Sequence, residues 1–270
     1  MSPTEGTTKE VSDVTPADHY TDSKLPLITA SFWVMKIAAT TLGETAGDMV
    51  SMTLKVGYAV SSLILISAFL VSVVAQLATK RYHPILYWTV ILTTSTAGTT
   101  MSDYMDRTLA LGYVKGTAIL VTILLCVLGI WRFTMGTLSV DHVRSRKAEI
   151  FYWTAILFSN TLGTALGDFL ADSSGLGFIG GASLIGGLLA VVLVLTFFTR
   201  LSRVFLFWVA FVLTRPFGAT VGDVLTKPRE KGGIALGTYG ASAVLLAILV
   251  ALVIRAVIRE HRVRRELRPA

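Results

Sequence analysis

FWVMKIAATTLGETAGD, residues 32–48, indicates the fold because three related stretches follow it in the chain. They are YWTVILTTSTAGTTMSD (residues 87–103), YWTAILFSNTLGTALGD (152–168) and FWVAFVLTRPFGATVGD (207–223). In every copy a glycine follows the tryptophan by ten residues, and an aspartate follows it by fifteen. Recurrence at fixed offsets is typical of repeat proteins. The sequence therefore predicts four copies of one structural unit.

The composition of the chain is that of a membrane protein. Hydrophobic residues make up 53% and charged residues 15% of the 270, against about 25% charged residues in soluble domains. A spanning helix needs roughly 20 mostly apolar residues. Candidate spans without any charge are Val56–Thr79, Gly116–Trp131, Gly180–Phe198 and Ile234–Ile254. Together with the four repeated stretches, they predict an all-α membrane protein with eight transmembrane helices.

The spacing of the tryptophans predicts how the units are grouped. Successive tryptophans are 55, 65 and 55 residues apart, which indicates two pseudo-symmetric halves of two repeats each. Each unit has two spans, so consecutive units enter the membrane in the same direction and would place four equivalent helices around one axis. The predicted domains are a flexible polar tail (1–25), a first half (26–140), a second half (141–258) and a basic cytoplasmic tail (259–270).

Basic residues predict the orientation of the spans. With eight spans, one face of the protein carries 14 Lys and Arg and the other face carries six. Cytoplasmic loops are enriched in these residues, so we expect the richer face and both termini in the cytoplasm. The acidic N-terminal tail has no apolar signal-peptide core, which makes the first span the expected targeting element. The run Arg255–Arg268 is interpreted as a topology anchor, with contact to anionic lipid headgroups as the alternative.

Two further features of the repeat have simple structural interpretations. Each tryptophan follows a Phe or Tyr, and such pairs are most simply anchors at the membrane interface. Small residues four positions apart lie on one face of a helix and allow close packing of two backbones. The pairs are Gly43/Gly47, Gly98/Ser102, Gly163/Gly167 and Gly218/Gly222.

The repeats resemble a family of bacterial membrane proteins that carry four tandem two-helix repeats of unknown function, sometimes labelled only as membrane-anchored proteins. The resemblance extends over roughly residues 30–255 and includes the tryptophan of each repeat, namely Trp33, Trp88, Trp153 and Trp208. It implies the repeat architecture and a location in the bacterial inner membrane. It implies no particular activity.

The repeated aspartates are the residues most indicative of function. They are Asp48, Asp103, Asp168 and Asp223. An ionised group near the centre of a spanning helix costs roughly 2.5–3.5 kcal/mol on insertion scales. With Glu44 there are five carboxylates in the predicted spans, against two basic residues, Lys36 and Arg215. Three carboxylates are left without a basic partner, so we expect a proton or a metal cation to offset their charge.

The residues near the aspartates are rich in side-chain oxygen. They include Thr99, Thr164 and Asn160 and contain no nearby Cys or His. Oxygen ligands suit Mg²⁺, Ca²⁺ or Mn²⁺, which predicts a divalent-cation site with the four aspartates as metal ligands and Glu44 beside them. Alternatively, the hydroxyls bond only to helix backbones. Lys36 and Arg215 are expected to pair with carboxylates. Four residues one turn further on are interpreted as interfacial charges: Asp106, Arg107, Asp172 and Lys227.

Three functions remain open at this point. The leading hypothesis is a transporter or channel for a small cation, with a divalent ion such as Mn²⁺ preferred. The alternatives are a proton-coupled carrier of a small organic solute and a non-transporting membrane sensor or scaffold. The chain contains no Walker A loop, HExxH motif or Ser/His/Asp arrangement, so we do not expect an enzyme. The expected partners are the lipid bilayer and a small cation or solute, with no nucleic acid. No cofactor is implied beyond a bound divalent cation.

Overall fold

Residues 24–140, 143 and 145–266 are described by a computed structural model of the chain. Most of the predicted polar tail, residues 1–23, and the last four residues of the basic tail lie outside these ranges. The described residues contain eight α-helices: α1 Ala30–Asp48, α2 Tyr58–Ala78, α3 Pro84–Asp103, α4 Gly112–Met135, α5 Arg146–Asp168, α6 Gly177–Phe198, α7 Arg203–Thr226 and α8 Gly237–Glu266.

The helix boundaries follow local signals in the sequence. Pro84 occupies the first turn of α3, where its missing N–H would have no helical partner anyway. Ser145 caps α5, because its hydroxyl accepts a hydrogen bond from the Ala148 amide. Three inner helices end in a five-residue π-helical turn that begins directly after the repeated aspartate: Met49–Thr53, Tyr104–Thr108 and Phe169–Ser173.

The first helices of the four units form a closed ring. In this ring α1 packs against α3, α3 against α5, α5 against α7, and α7 against α1. Each second helix lies outside the ring, against the first helix of the following unit: α2 on α3, α4 on α5 and α6 on α7. The last one, α8, packs on α1. The last described helix therefore packs on the first.

The ring is held at close range by the glycine that follows each tryptophan by ten residues. Each of these glycines packs against the next unit at the residue seven positions after that unit's tryptophan. The pairs are Gly43 with Ser95, Gly98 with Asn160, Gly163 with Arg215, and Gly218 with Thr40. A Cβ at Gly43 would lie 2.3 Å from the Ser95 Cβ. A side chain of any size is therefore excluded at this contact between the inner helices.

Five of the eight described helices are long and apolar enough to cross a membrane: α2, α4, α6, α7 and the part of α8 at Gly237–Val263. The other three, α1, α3 and α5, are inner helices and carry most of the polar repeat residues. Their polar side chains face neighbouring helices and not lipid, so these helices need not be apolar throughout. The protein is thus an all-helical membrane-type protein.

The tryptophan end of the ring is filled with aromatic side chains. The Phe or Tyr of each unit contacts the tryptophan of the next unit, with ring centroids 5.5–6.4 Å apart. Trp88, Trp153 and Trp208 are at most 5% exposed. The prediction that the tryptophans are interfacial anchors is therefore wrong for these three. They pack inside the bundle because each faces the neighbouring repeat, a partner that is not evident from a single copy of the motif.

Candidate functional site

The four repeated aspartates lie together at the other end of the ring. Asp48, Asp103 and Asp168 are the last residues of α1, α3 and α5, and Asp223 lies within the last turn of α7. All four are buried, with 2–5% of each residue exposed. Because the same position in each unit lies in the last turn of an inner helix, the ring brings the four carboxylates to one level.

Two basic residues connect these aspartates in pairs. Arg107 contacts Asp103 through Nε at 3.0 Å and Asp168 through Nη2 at 3.2 Å. Lys227 contacts Asp223 at 3.1 Å and Asp48 at 3.4 Å through Nζ. Each bridge therefore joins aspartates of two different units.

These bridges correct the expectation that three carboxylates lack a basic partner. Arg107 and Lys227, interpreted from the sequence as interfacial charges, are partly buried in the site. The spacing could have indicated the pairing, because Asp103/Arg107 and Asp223/Lys227 are four residues apart, a distance that places side chains together on a helix. Burial lowers the pKa of Lys227, but Asp223 and Asp48 outweigh this effect and raise the pKa above its usual value. The amine therefore stays charged at neutral pH.

Glu44 and Arg215 form a second, deeper layer of the site. Both are buried, and Arg215 Nη2 lies 3.0 Å from Glu44 Oε2. Thr99 and Thr164 connect the two residues: their hydroxyls accept from Arg215 Nη2 at 2.5 and 2.7 Å and donate to Glu44 Oε2 at 3.2 Å each. Both threonines thus bond to side chains of other units, and the Ser95 carbonyl, 3.2 Å from the Thr99 hydroxyl, is an alternative acceptor for that hydroxyl.

Three carboxylates converge between the two layers. Oxygen atoms of Glu44, Asp168 and Asp223 lie within 4.8 Å of one another, and all three residues are buried. Groups this close to each other repel strongly when all are ionised. These three residues are the part of the cluster that could hold a metal ion, although each also contacts one base: Arg215, Arg107 and Lys227 respectively.

Two predicted site residues lie elsewhere. The Lys36 amine lies 3.8 Å above the Phe211 ring and has no hydrogen-bond partner among the described residues. It is not the carboxylate partner that we expected. Asn160 donates to the hydroxyls of Thr94 and Ser95, at 3.4 and 3.3 Å. Lys36 lies eight residues before Glu44 on α1, and Asn160 lies eight residues before Asp168 on α5. Eight residues correspond to about 12 Å along the helix axis, which is too far for contact.

The fold and the acidic cluster define a class: an all-helical membrane-type protein made of four tandem repeats whose inner helices each bring an aspartate to one site. The chain belongs to the family described as Repeat of Unknown Function (DUF347), whose model matches residues 31–82, 86–137, 151–202 and 206–262. This confirms the family resemblance seen in the tryptophan-containing stretches. No curated protein and no solved structure matches the chain.

Proposed function

We propose that the protein is an integral membrane transporter or channel for a small cation, with a divalent ion of the Mn²⁺ type as the preferred cargo. The observation that carries the proposal is the convergence of Glu44, Asp168 and Asp223 within 4.8 Å of one another. An arrangement of three buried carboxylates is unfavourable unless a proton or cation offsets their charge.

The charge of the cluster supports a divalent ion. Five carboxylates are joined by three bases, Arg107, Arg215 and Lys227. With all groups ionised, the cluster carries two negative charges more than positive ones. One divalent cation or two protons would balance it. The surrounding hydroxyls of Thr99 and Thr164 are also oxygen ligands, the type that Mg²⁺, Ca²⁺ and Mn²⁺ prefer.

The membrane arrangement belongs to the same proposal. All eight helices would span the bilayer, with the polar helices α1, α3 and α5 shielded by the outer ones. The loops richer in Lys and Arg lie at the aromatic end, which we assign to the cytoplasm together with both termini. The membrane would be the bacterial inner membrane. The carboxylates then lie near the outer surface, where Arg107 is 34% exposed, so a cation could enter from outside.

The packing of the ring argues against an organic solute as cargo. At Gly98 an added Cβ would lie 2.9 Å from the Thr161 amide nitrogen, so an organic solute has no passage between α3 and α5 at this contact. The Arg215 guanidinium, which could hold an anionic solute, is already bonded to Glu44, Thr99 and Thr164. A non-transporting scaffold is the second candidate, because the ion pairs also join the four units. Neither candidate is an enzyme.

Removing one of the three converging carboxylates tests the site. We expect Mn²⁺, but not K⁺, to raise the melting temperature of the detergent-purified protein. Asp168→Asn should weaken this response about tenfold or more in apparent Kd, since a loss of 1.4 kcal/mol is tenfold. The control is Asp172→Asn, which removes the same charge from an exposed position four residues further on.

Uptake by reconstituted vesicles separates transport from binding. We expect wild-type vesicles and Asp172→Asn vesicles to accumulate Mn²⁺ down its gradient, and Asp168→Asn vesicles to lose the activity while reconstituting normally. Equal uptake by the two variants would remove Asp168 from the pathway. If neither assay shows a response to any divalent ion, the cation-transport proposal is rejected and the scaffold function is the remaining candidate.

A further inference from the structure

An apolar groove lies on the outside of the bundle, between α3 and α8. Its volume is about 380 Å³, and hydrophobic side chains form nearly all of its wall. The lining side chains include Ile85 and Leu92 on α3 and Leu246, Val250, Ile254 and Ile258 on α8. In a membrane-embedded bundle this surface faces the acyl chains of the bilayer.

The length of the groove matches one leaflet of a bilayer. On α8 it extends from Leu246 to Ile258, twelve residues further along the helix, which is a rise of about 18 Å. Half of a hydrocarbon core is about 15 Å. The register is fixed by the hydrogen bond between the hydroxyls of Ser242 and Thr45, 2.9 Å long. The groove therefore begins just inside the acidic site and ends at the aromatic end of the ring.

Basic residues follow where the groove ends. Arg259 and Glu260 line a small cavity beside the groove, which is also formed by Pro26, Leu27 and Trp88. Trp88 forms part of the wall of both cavities, so the two lie side by side. Arg255 and Arg262 are exposed on the same stretch of α8. Residues 255–262 of α8 carry three arginines against one carboxylate, Glu260, so the groove ends beside a net positive charge. An apolar groove one leaflet long beside such a charge is complementary to a phospholipid with a negatively charged headgroup.

We propose that this groove is a binding site for an anionic phospholipid of the leaflet at the basic end of the bundle. One acyl chain lies between α3 and α8, and the phosphate lies at Arg259. The lipid fills the groove between the outer helix α8 of the last unit and the inner helix α3 of the second unit, and so supports the packing of α8 on the ring. The site is independent of the acidic cluster and of its proposed cargo.

Native mass spectrometry of the full chain, released from nanodiscs of mixed phosphatidylglycerol and phosphatidylcholine with the same acyl chains, tests the site. We expect wild-type protein to retain one phosphatidylglycerol preferentially. Arg259→Gln should reduce this preference about fivefold, the effect of one basic residue near a charged headgroup. Its control is Arg229→Gln, which removes an exposed arginine at the opposite end of the bundle.

A second variant tests the apolar part of the groove. Val250→Trp fills the groove at a position that is 46% exposed and should abolish retention of the lipid. Val191→Trp on α6, at a position 53% exposed, is the matched control and should retain it. Equal retention by both tryptophan variants, or no preference for the anionic lipid, would overturn the proposal. So would a dimer that dissociates only in Val250→Trp, because the groove would then be a protein interface.

Discussion

Replacing Gly98 with alanine is expected to lower the free energy of unfolding by about 2–3 kcal/mol, the upper part of the range for an overpacked core. The new Cβ would lie 2.9 Å from the Thr161 amide nitrogen and 3.0 Å from the Asn160 carbonyl carbon. Both are backbone atoms of α5, so no side-chain rotation can relieve the clash. The inner helices α3 and α5 would have to separate, and the ring would open at this contact.

Gly129 provides the matched control for this prediction. It lies in the outer helix α4, and a Cβ there would meet nothing within 4 Å. Gly129→Ala should leave stability unchanged or raise it by up to about 1 kcal/mol, since alanine is the better helix former. Unfolding in a mixed-micelle SDS titration, followed by tryptophan fluorescence, gives both free energies. If the two alanine variants unfold alike, the inner helices do not pack as closely as the glycine contacts require.

The repeated motif was sufficient to predict the unit of the fold but not all of its contacts. The fixed offsets of the tryptophan, glycine and aspartate predicted four units of the family that the chain belongs to. They could not indicate which units pack against each other, because that depends on where each outer helix lies. The sequence of one unit does not indicate that the aromatic residue at Tyr87 contacts Trp153 of the next unit.

The repeated motif indicated the acidic residues near one another but not their charge balance. Asp168 and Asp223 occupy equivalent positions and lie together with Glu44, whose position holds Thr or Ala in the other units. Lys36 was expected to pair with an acid because both occur in predicted spans, but depth along the helix decides which groups meet. The bases that neutralise the aspartates, Arg107 and Lys227, lie one turn beyond them. A count restricted to apolar segments therefore omits them.

Arg215→Gln is expected to have the largest effect of any single substitution in the site, about 3–5 kcal/mol of stability. Breaking a buried ion pair by removing one partner leaves a buried charge without compensation. The carboxylate left without its ion-pair partner is Glu44, which already lies close to Asp168 and Asp223. The hydroxyls of Thr99 and Thr164 would also lose the donor that joins them. The SDS titration measures the loss directly.

The double variant Arg215→Gln/Glu44→Gln distinguishes a charge effect from a packing effect. If the unpaired Glu44 carboxylate causes the loss of stability, removing its charge should restore part of that stability. The double-mutant cycle of Arg215 and Glu44 should then give a coupling energy of about 1–3 kcal/mol. Additive losses would mean that Arg215 acts only by filling space between α1, α3 and α5. Mn²⁺ provides a further check, because a cation that binds at Glu44 should stabilise Arg215→Gln more than the wild type. It should not stabilise the double variant in the same way, since the charge that attracts it is reduced.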